Sequence, residues 1–437
     1  MVEAIGAAFL VFLFLAFFLG IGSWIFVAVV MVGFMALAVL KGMPVDRIGA
    51  IMKGTMWKTA STWELAAVPI FVVMGELIFR TDISERLFRG LAPWMSFIPG
   101  RLLHCNIAGC TLFAAISGSS TATTATVGKL TTSALRDRDY NQSLSIGSLA
   151  GAGSLGLMIP PSITLIIYGV LAEESITDLF AAGIFPGLLI AGLYSLYIAV
   201  RCIANPALAA TETQTYNAKD FLRSFVDLFP ILFLIFIVLG GIYSGVATPS
   251  EAAALGFAAS LVLVCGMGQL TWKVVSESLL GATKVSCMVI TILVAAAFMS
   301  SSMAYLHVPQ EIANAIAILD LGPAGLIILL GVFYIILGMF LDGLSIMVMS
   351  LPITLPLIVS AGYDPVWFGI YLVVMIELGL ITPPIGFNLF VIQGLTGDPI
   401  GTIAKAAFPF FLLMLLAGII ITMFPQIALW LPKVLFH

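Results

Sequence analysis

The stretch 156-GLMIPPSI-163 returns later in the chain as 379-GLITPPIG-386. Two successive prolines remove two backbone donors and clash with the preceding turn, so a helix does not run through them unbroken. The first copy lies inside an apolar run from Leu144 to Ala172. At about 29 residues that run exceeds the roughly 20 that one straight membrane helix needs. It reads as two half-helices meeting at Pro160-Pro161, and a simple proline kink is the alternative. The same pair at Pro383-Pro384, followed by Gly386 and Asn388, favours the break.

Other phrases recur in the same order and at nearly the same offset. GIGS at 20–23 returns as GIYS at 241–244, and 183-GIFPGLL-189 returns as 406-AAFPFFL-412. Gly118 in 117-SGSS-120 has Gly343 in GLS near its place. Patterns in register at a fixed period mark a duplication, here two repeats of about 220 residues. The boundary falls between residues 220 and 221, giving units 1–220 and 221–437.

Composition sets the solvent. Of 437 residues, 61% are hydrophobic and 9% charged, with mean hydropathy +1.16. Soluble domains carry about 25% charged residues. The chain is therefore expected to be an all-α polytopic membrane protein surrounded by a lipid bilayer, with length for roughly ten to thirteen passes. A net charge of −4 argues against nucleic acid as a partner. The opening MVEAIGAAFLVF carries an acid rather than a basic flank, so no cleaved signal is expected. The five cysteines form no CxxC pair and the three histidines are scattered, so the cysteines are expected as small buried hydrophobes and no transition-metal site or catalytic cluster is expected. TVGKL at 126–130 lacks the Gly at 123 and the Ser or Thr at 130 of a phosphate-binding loop.

Charge gives orientation. Residues 61–180 contain Arg80, Arg86, Arg89, Arg101, Lys129, Arg136 and Arg138, whereas the equivalent 285–404 contain no Lys or Arg, only acids such as Glu311, Asp320, Asp342, Asp364, Glu377 and Asp398. Positive charge in short loops marks the cytoplasmic side, so equivalent loops face opposite sides and the repeats are inverted. Lys41, Arg47, Lys53 and Lys58 run against this pattern, since the symmetry places them outside. Inverted repeats with interrupted helices are the architecture of secondary transporters, which bind near the midplane.

Residues 102–135 are apolar with basic residues at both ends, so the segment must enter and return as a hairpin turning near 117-SGSST-121. Each limb of about 17 residues reaches roughly 25 Å. Non-helical backbone at that depth is tolerated only inside protein or along a cavity. Freed carbonyls with hydroxyls make a neutral oxygen cage suited to a small alkali cation, while amides opening the returning helix suit a carboxylate. Small-residue packing with hydroxyls bonded to the i−4 carbonyl is the other reading, and it suits Thr123 to Thr126. The second hairpin is 338-GMFLDGLSIMVMSLPITLP-356. Its Asp342 costs about 2.5–3.5 kcal/mol at membrane depth, so a partner is required, and a bound cation would serve. Glu377 either joins such a site or pairs through the fold.

These motifs resemble the large membrane subunit of tripartite ATP-independent periplasmic (TRAP) transporters. SGSSTATTATVG (117–128), SLGLMIPPSITLIIYGV (154–170), ATPSEAAALG (247–256) and LITPPIGFNLFVI (380–392) carry the resemblance, which runs nearly end to end. It implies an elevator-type ion-transporter fold with re-entrant hairpins and broken helices. Scaffold segments would be 1–62, 179–203 and 221–286 with a final helix 403–432, and the transport parts 63–178 and 287–400. It also implies a small four-helix membrane subunit, a periplasmic substrate-binding protein, sodium as coupling ion, no further cofactor, and residence in the bacterial inner membrane. Typical substrates are C4-dicarboxylates, sialic acids and similar carboxylates. By the same resemblance, one sodium site uses Ser117, Ser119, Gly156, Ile159 and Pro161. The other uses Asp342, Ser345, Gly379, Thr382 and Pro384. Substrate lies among Ser120, Thr121, Ser162 and Asn388. An autonomous sodium–carboxylate symporter without a binding protein is the alternative.

Overall fold

A computed structural model describes residues 10, 13–14, 17–18, 20–209, 216–308 and 322–436, and within these every regular element is helical. Most of the start of the 1–62 segment, and Glu311 and Asp320 from the charge comparison, lie outside the described residues. In chain order the helices are α1 (Ile25–Met35, continued by a π turn, Ala36–Leu40), α2 (Val45–Ala60), α3 (Ala67–Phe79), α4 (Ile83–Met95), α5 (Leu103–Ser117), α6 (Ser120–Arg136), α7 (Gln142–Gly153), α8 (Ile163–Ala172) and α9 (Ile176–Ala204). The second half has α10 (Ala218–Tyr243), α11 (Pro249–Gly266), α12 (Trp272–Tyr305), α13 (Pro323–Gly338), α14 (Gly343–Ser360), α15 (Pro365–Leu380), α16 (Phe387–Thr396), α17 (Ile400–Met423) and α18 (Gln426–Phe436).

The duplication survives as geometry. α6 and α14 begin at Ser120 and Gly343, and α7 and α15 at Gln142 and Pro365, both pairs 223 residues apart. α1 and α11, α8 and α16, and α9 and α17 start 224 residues apart. Starts are encoded locally. Asn141, Ser162, Ser175, Thr248, Asp342 and Asp364 each accept a hydrogen bond from an amide in the first turn, and Pro249, Pro323 and Pro365 occupy first positions.

Among the described residues, six helices are long and apolar enough to cross a membrane, or seven if the bent pair of α2 and α3, which turns by 56°, is one span. These are helices that suffice singly by length and composition; α1 and, beside the two proline gaps, α8, α15 and α16 are shorter apolar helices. The remaining surface is oil-compatible, with Phe236, Val262 and Trp272 more than 70% exposed. The equivalent loops of the two halves carry opposite charge, as inverted copies require.

The halves interlock crosswise. α1 packs on α12, and its counterpart α11 packs on α3. α17 packs on α7 as α9 packs on α15, and each second hairpin limb meets the other repeat's half-helix, α6 on α16 and α14 on α8. Arg80 closes the α3–α12 contact, bonding Glu277 at 2.9 Å and Glu76 at 3.1 Å. All five cysteines are free. Cys105, Cys110 and Cys202 are buried as expected, but Cys265 and Cys287 are exposed, on the lipid-compatible flanks of α11 and α12.

Candidate functional site

In the first repeat the hairpin turns at Gly118, whose φ of +58° is the left-handed conformation that glycine adopts without a Cβ penalty. Ser119 then caps α6, its hydroxyl accepting from the Ala122 amide at 3.4 Å. This tip is seated on the broken helix. A Cβ at Gly118 would stand 3.0 Å from the Pro161 carbonyl oxygen, and one at Gly156 only 2.5 Å from the Ser119 carbonyl oxygen. Helix stops at the 3-10 turn Ser154–Leu157 and resumes at Ile163, so the two prolines lie in the gap.

The structure therefore brings Ser119, Gly156 and Pro161 together. Ser117 is beside them, its hydroxyl 2.7 Å from that of Thr123. The Ile159 side chain is turned towards α9, where a Cβ at Gly187 would lie 2.9 Å from it. Ser117 and Ser119 also line a cavity of about 180 Å³, whose walls include Gly75 and Glu76 of α3, Phe113, and Val285 of α12. Of the threonines assigned to i−4 bonding, Thr126 makes that bond, to Ala122 at 2.8 Å. Thr123 instead braces Ser117, and the buried Thr124 hydroxyl has no partner.

The second repeat repeats the arrangement with different chemistry. Asp342 caps α14, accepting from the Ser345 amide at 3.1 Å, and the Ser345 hydroxyl donates to its other oxygen. Among the described residues no cation forms a salt bridge with it. Gly379 abuts the first limb, since a Cβ on it would lie 2.4 Å from the Gly338 Cα. The Met339 carbonyl accepts from the Ile385 and Gly386 amides at 3.2 and 3.4 Å, which ties the tip to the Pro383-Pro384 gap. Thr382 is folded back on its own helix, donating to Leu378 at 2.6 Å.

The residues assigned to substrate divide. Thr121 is half-buried beside Ser119, their hydroxyl oxygens 3.3 Å apart. Ser162 caps α8 and donates to the Leu157 carbonyl at 2.6 Å. Ser120 and Asn388 meet directly across the repeats, Asn388 Nδ2 lying 2.6 Å from Ser120 Oγ, and both are buried. Glu377, left undecided by the sequence, completes this group with Oε2 at 3.0 Å from Ser120 Oγ. Nothing local to Glu377 signals the contact, because its partner lies 257 residues away.

The site is thus made of two hairpin tips, each pressed on a gap in a broken helix. Around each gap lie carbonyls and hydroxyls, and one carboxylate occupies the second tip. Among the described residues no cluster of three His, Cys, Asp or Glu side chains converges. The sequence profile of the family described as "Tripartite ATP-independent periplasmic transporter, DctM component" matches residues 8–427. The C4-dicarboxylate TRAP transporter large permease protein DctM of Pseudomonas aeruginosa is 33% identical over 381 residues, covering 86% of this chain and 88% of that protein. The isethionate TRAP transporter permease protein DctMQ of Oleidesulfovibrio alaskensis is 33% identical over 416 residues, covering 95% of this chain and 65% of that longer one. Among solved structures, the Alcanivorax borkumensis YdaH transporter, reported as having an unusual topology, superposes with a TM-score of 0.63 over 90% of each chain. At 15% identity that likeness concerns the fold alone. A multi-pass chain built from interrupted, inverted halves, matched almost throughout by one profile and by permeases of that kind, belongs to the DctM component family of tripartite ATP-independent periplasmic transporters.

Proposed function

We propose that this chain is the ion-coupled permease of a three-part uptake system in a bacterial inner membrane. It takes an organic acid, a C4-dicarboxylate, a sialic acid or a similar carboxylate, from a periplasmic binding protein and works beside a small four-helix membrane subunit. Sodium supplies the drive. The hairpins and broken helices (63–178 and 287–400) move as one body against the scaffold in an elevator motion.

The observation that supports this reading is Asp342. It is a half-buried carboxylate without a cationic partner among the described residues, placed at a tip whose neighbour in the chain fold is a proline-broken helix. An alkali ion there balances the charge, and the first tip supplies an equivalent cage of neutral oxygens. Two sodium ions entering with a monoanion move one net charge, for which 100 mV provides about 2.3 kcal/mol. Each tenfold sodium gradient adds about 1.4 kcal/mol per ion.

The test is initial uptake into vesicles reconstituted with both partner proteins. Replacing the sodium gradient by choline abolishes uptake on this reading. Asp342→Asn, which keeps a good helix cap but removes the charge, lowers uptake about tenfold or more at limiting sodium, the equivalent of ~1.4 kcal/mol. Uptake that ignores both changes refutes sodium coupling at this site. Full uptake by the permease alone identifies an autonomous symporter instead.

A further inference from the structure

Lys41, Arg47, Lys53 and Lys58 run against the charge pattern of the chain, and the structure fixes the side of the helix that carries them. The Lys58 ammonium lies 3.4 Å from the carboxylate of Glu173, three residues before α9 begins. α9 has 29 residues, is apolar enough to cross a membrane, and reaches roughly 43 Å. At its far end the Leu208 carbonyl accepts from the Asn141 amide at 3.1 Å, so the loop behind Arg136 and Arg138 sits there, beside Arg201. α2 therefore lies at the opposite end of a membrane-long helix from the basic loops. Those loops mark the cytoplasm, which puts α2 on the periplasmic face.

Folding does not account for these cations. α2 leaves the line of α3 by 56° and spends its apolar face inside the protein. Ile48 is fully buried with Leu37 and with Phe298 of α12, and Ile51, Met52 and Met56 pack around them. The other face shows Arg47, Ala50, Lys53, Gly54 and Trp57, all exposed, at the three- and four-residue spacing of one helical stripe. The acid on the helix is Asp46. Among the described residues, Lys41, Arg47 and Lys53 make no ion pair. Ala50 and Gly54 leave the stripe flat, and a Cβ at Gly54 would meet nothing within 4 Å.

A helix that rests on lipid does so by its apolar face, and α2 has turned that face inward. What remains outside is a flat cationic stripe around one exposed tryptophan. Charge of one sign steers and aligns a partner of the other sign, and tryptophan is a frequent anchor in such contacts. From this geometry we infer that the outer stripe of α2 is where the periplasmic binding protein docks, through an acidic patch of its own. The occupant rests on the three-part system proposed above, whereas the side and the stripe do not. Lys58 already shows the pairing on a small scale, since a carboxylate of the α8–α9 loop holds it.

The test is binding of the purified binding protein to the permease and its small subunit in nanodiscs of neutral phosphatidylcholine, over a salt series. Affinity is expected to fall with salt, because exposed charges are screened beyond about 10 Å at 0.1 M. Arg47→Glu combined with Lys53→Glu is expected to weaken binding about tenfold or more at low salt and to flatten the salt dependence. Lys405→Glu is the control. Lys405 is exposed near the start of α17, at the cytoplasmic end where Gln142 bonds Asp398, and its variant is expected to bind as wild type does. Equal binding by wild type and the double variant overturns docking on α2 while leaving the three-part system in place. If wild type binds no such protein, the three-part system falls and the docking falls with it. A loss seen only in discs containing phosphatidylglycerol assigns the stripe to anionic lipid headgroups and overturns the inference, as does a double variant that fails to fold. The side is read independently in spheroplasts, where an impermeant maleimide is expected to label Lys53→Cys above the wild-type background and Lys405→Cys not at all. The reverse pattern refutes the placement.

Discussion

Gly156→Val tests how the first tip is held. A Cβ at this position would lie 2.5 Å from both the Ser119 carbonyl oxygen and the Ser120 Cα, and 2.6 Å from the Ser120 amide nitrogen. All three are backbone atoms, so no side chain can swing away and the hairpin must lift. Overpacking of this kind costs about 1–3 kcal/mol. At ~2 kcal/mol the population of the seated hairpin relative to the lifted one falls about thirtyfold. Cys110 lies on the first limb and is fully buried, which provides a native reporter, while the exposed Cys265 and Cys287 serve as internal controls. Alkylation followed by mass spectrometry of the purified chain is expected to show faster labelling of Cys110 in Gly156→Val, by about an order of magnitude or more, with the two controls unchanged. Uptake should fall in parallel. If Cys110 stays as protected as in wild type and uptake is retained, then contact between Ser119 and Gly156 is not what seats the tip.

Two further outcomes follow from other positions. Gly192 has nothing within 4 Å of where a Cβ would be and lies inside α9, so Gly192→Ala should raise the melting temperature, since alanine is favoured over glycine in a helix by about 1 kcal/mol. A lower melting temperature would refute this. Glu174, in the loop between α8 and α9, has its carboxyl held above the usual range by burial and then by the Asp364 and Asp178 carboxylates. An acid whose pKa is raised by folding favours the folded state while protonated, and loses that contribution as pH rises through the carboxylate range. Thermal melts over a pH series should therefore find Glu174→Gln more stable than wild type at neutral pH and equal to it in acid, and a gap that is independent of pH refutes the assignment.

What was legible in the sequence is what short-range chemistry encodes. The proline pairs marked both gaps, Gly118 marked the first turn, and the constant offset joined them into two copies. The opposite charge of equivalent loops gave the inversion. The Ser120–Asn388–Glu377 knot was harder. Two of its members were assigned to substrate and the third left open, because contacts spanning 257 and 268 residues leave no periodic trace. The bend between α2 and α3 also went unread, although Thr62, Trp63 and Glu64 interrupt the apolar pattern there.

The crosswise seating of each hairpin limb on the other repeat's half-helix reaches back to the origin of the fold. One copy by itself would leave α6 without α16 and a half-helix without a limb to lie on, so the duplicated unit is not a domain that can be inherited alone. A single-copy ancestor with this packing must have assembled as an antiparallel pair, inserted both ways up in one membrane. Fusing the two genes would have fixed the pairing for good. With the pairing fixed the two tips need not match, and here one carries only hydroxyls and the other an acid beside its serine.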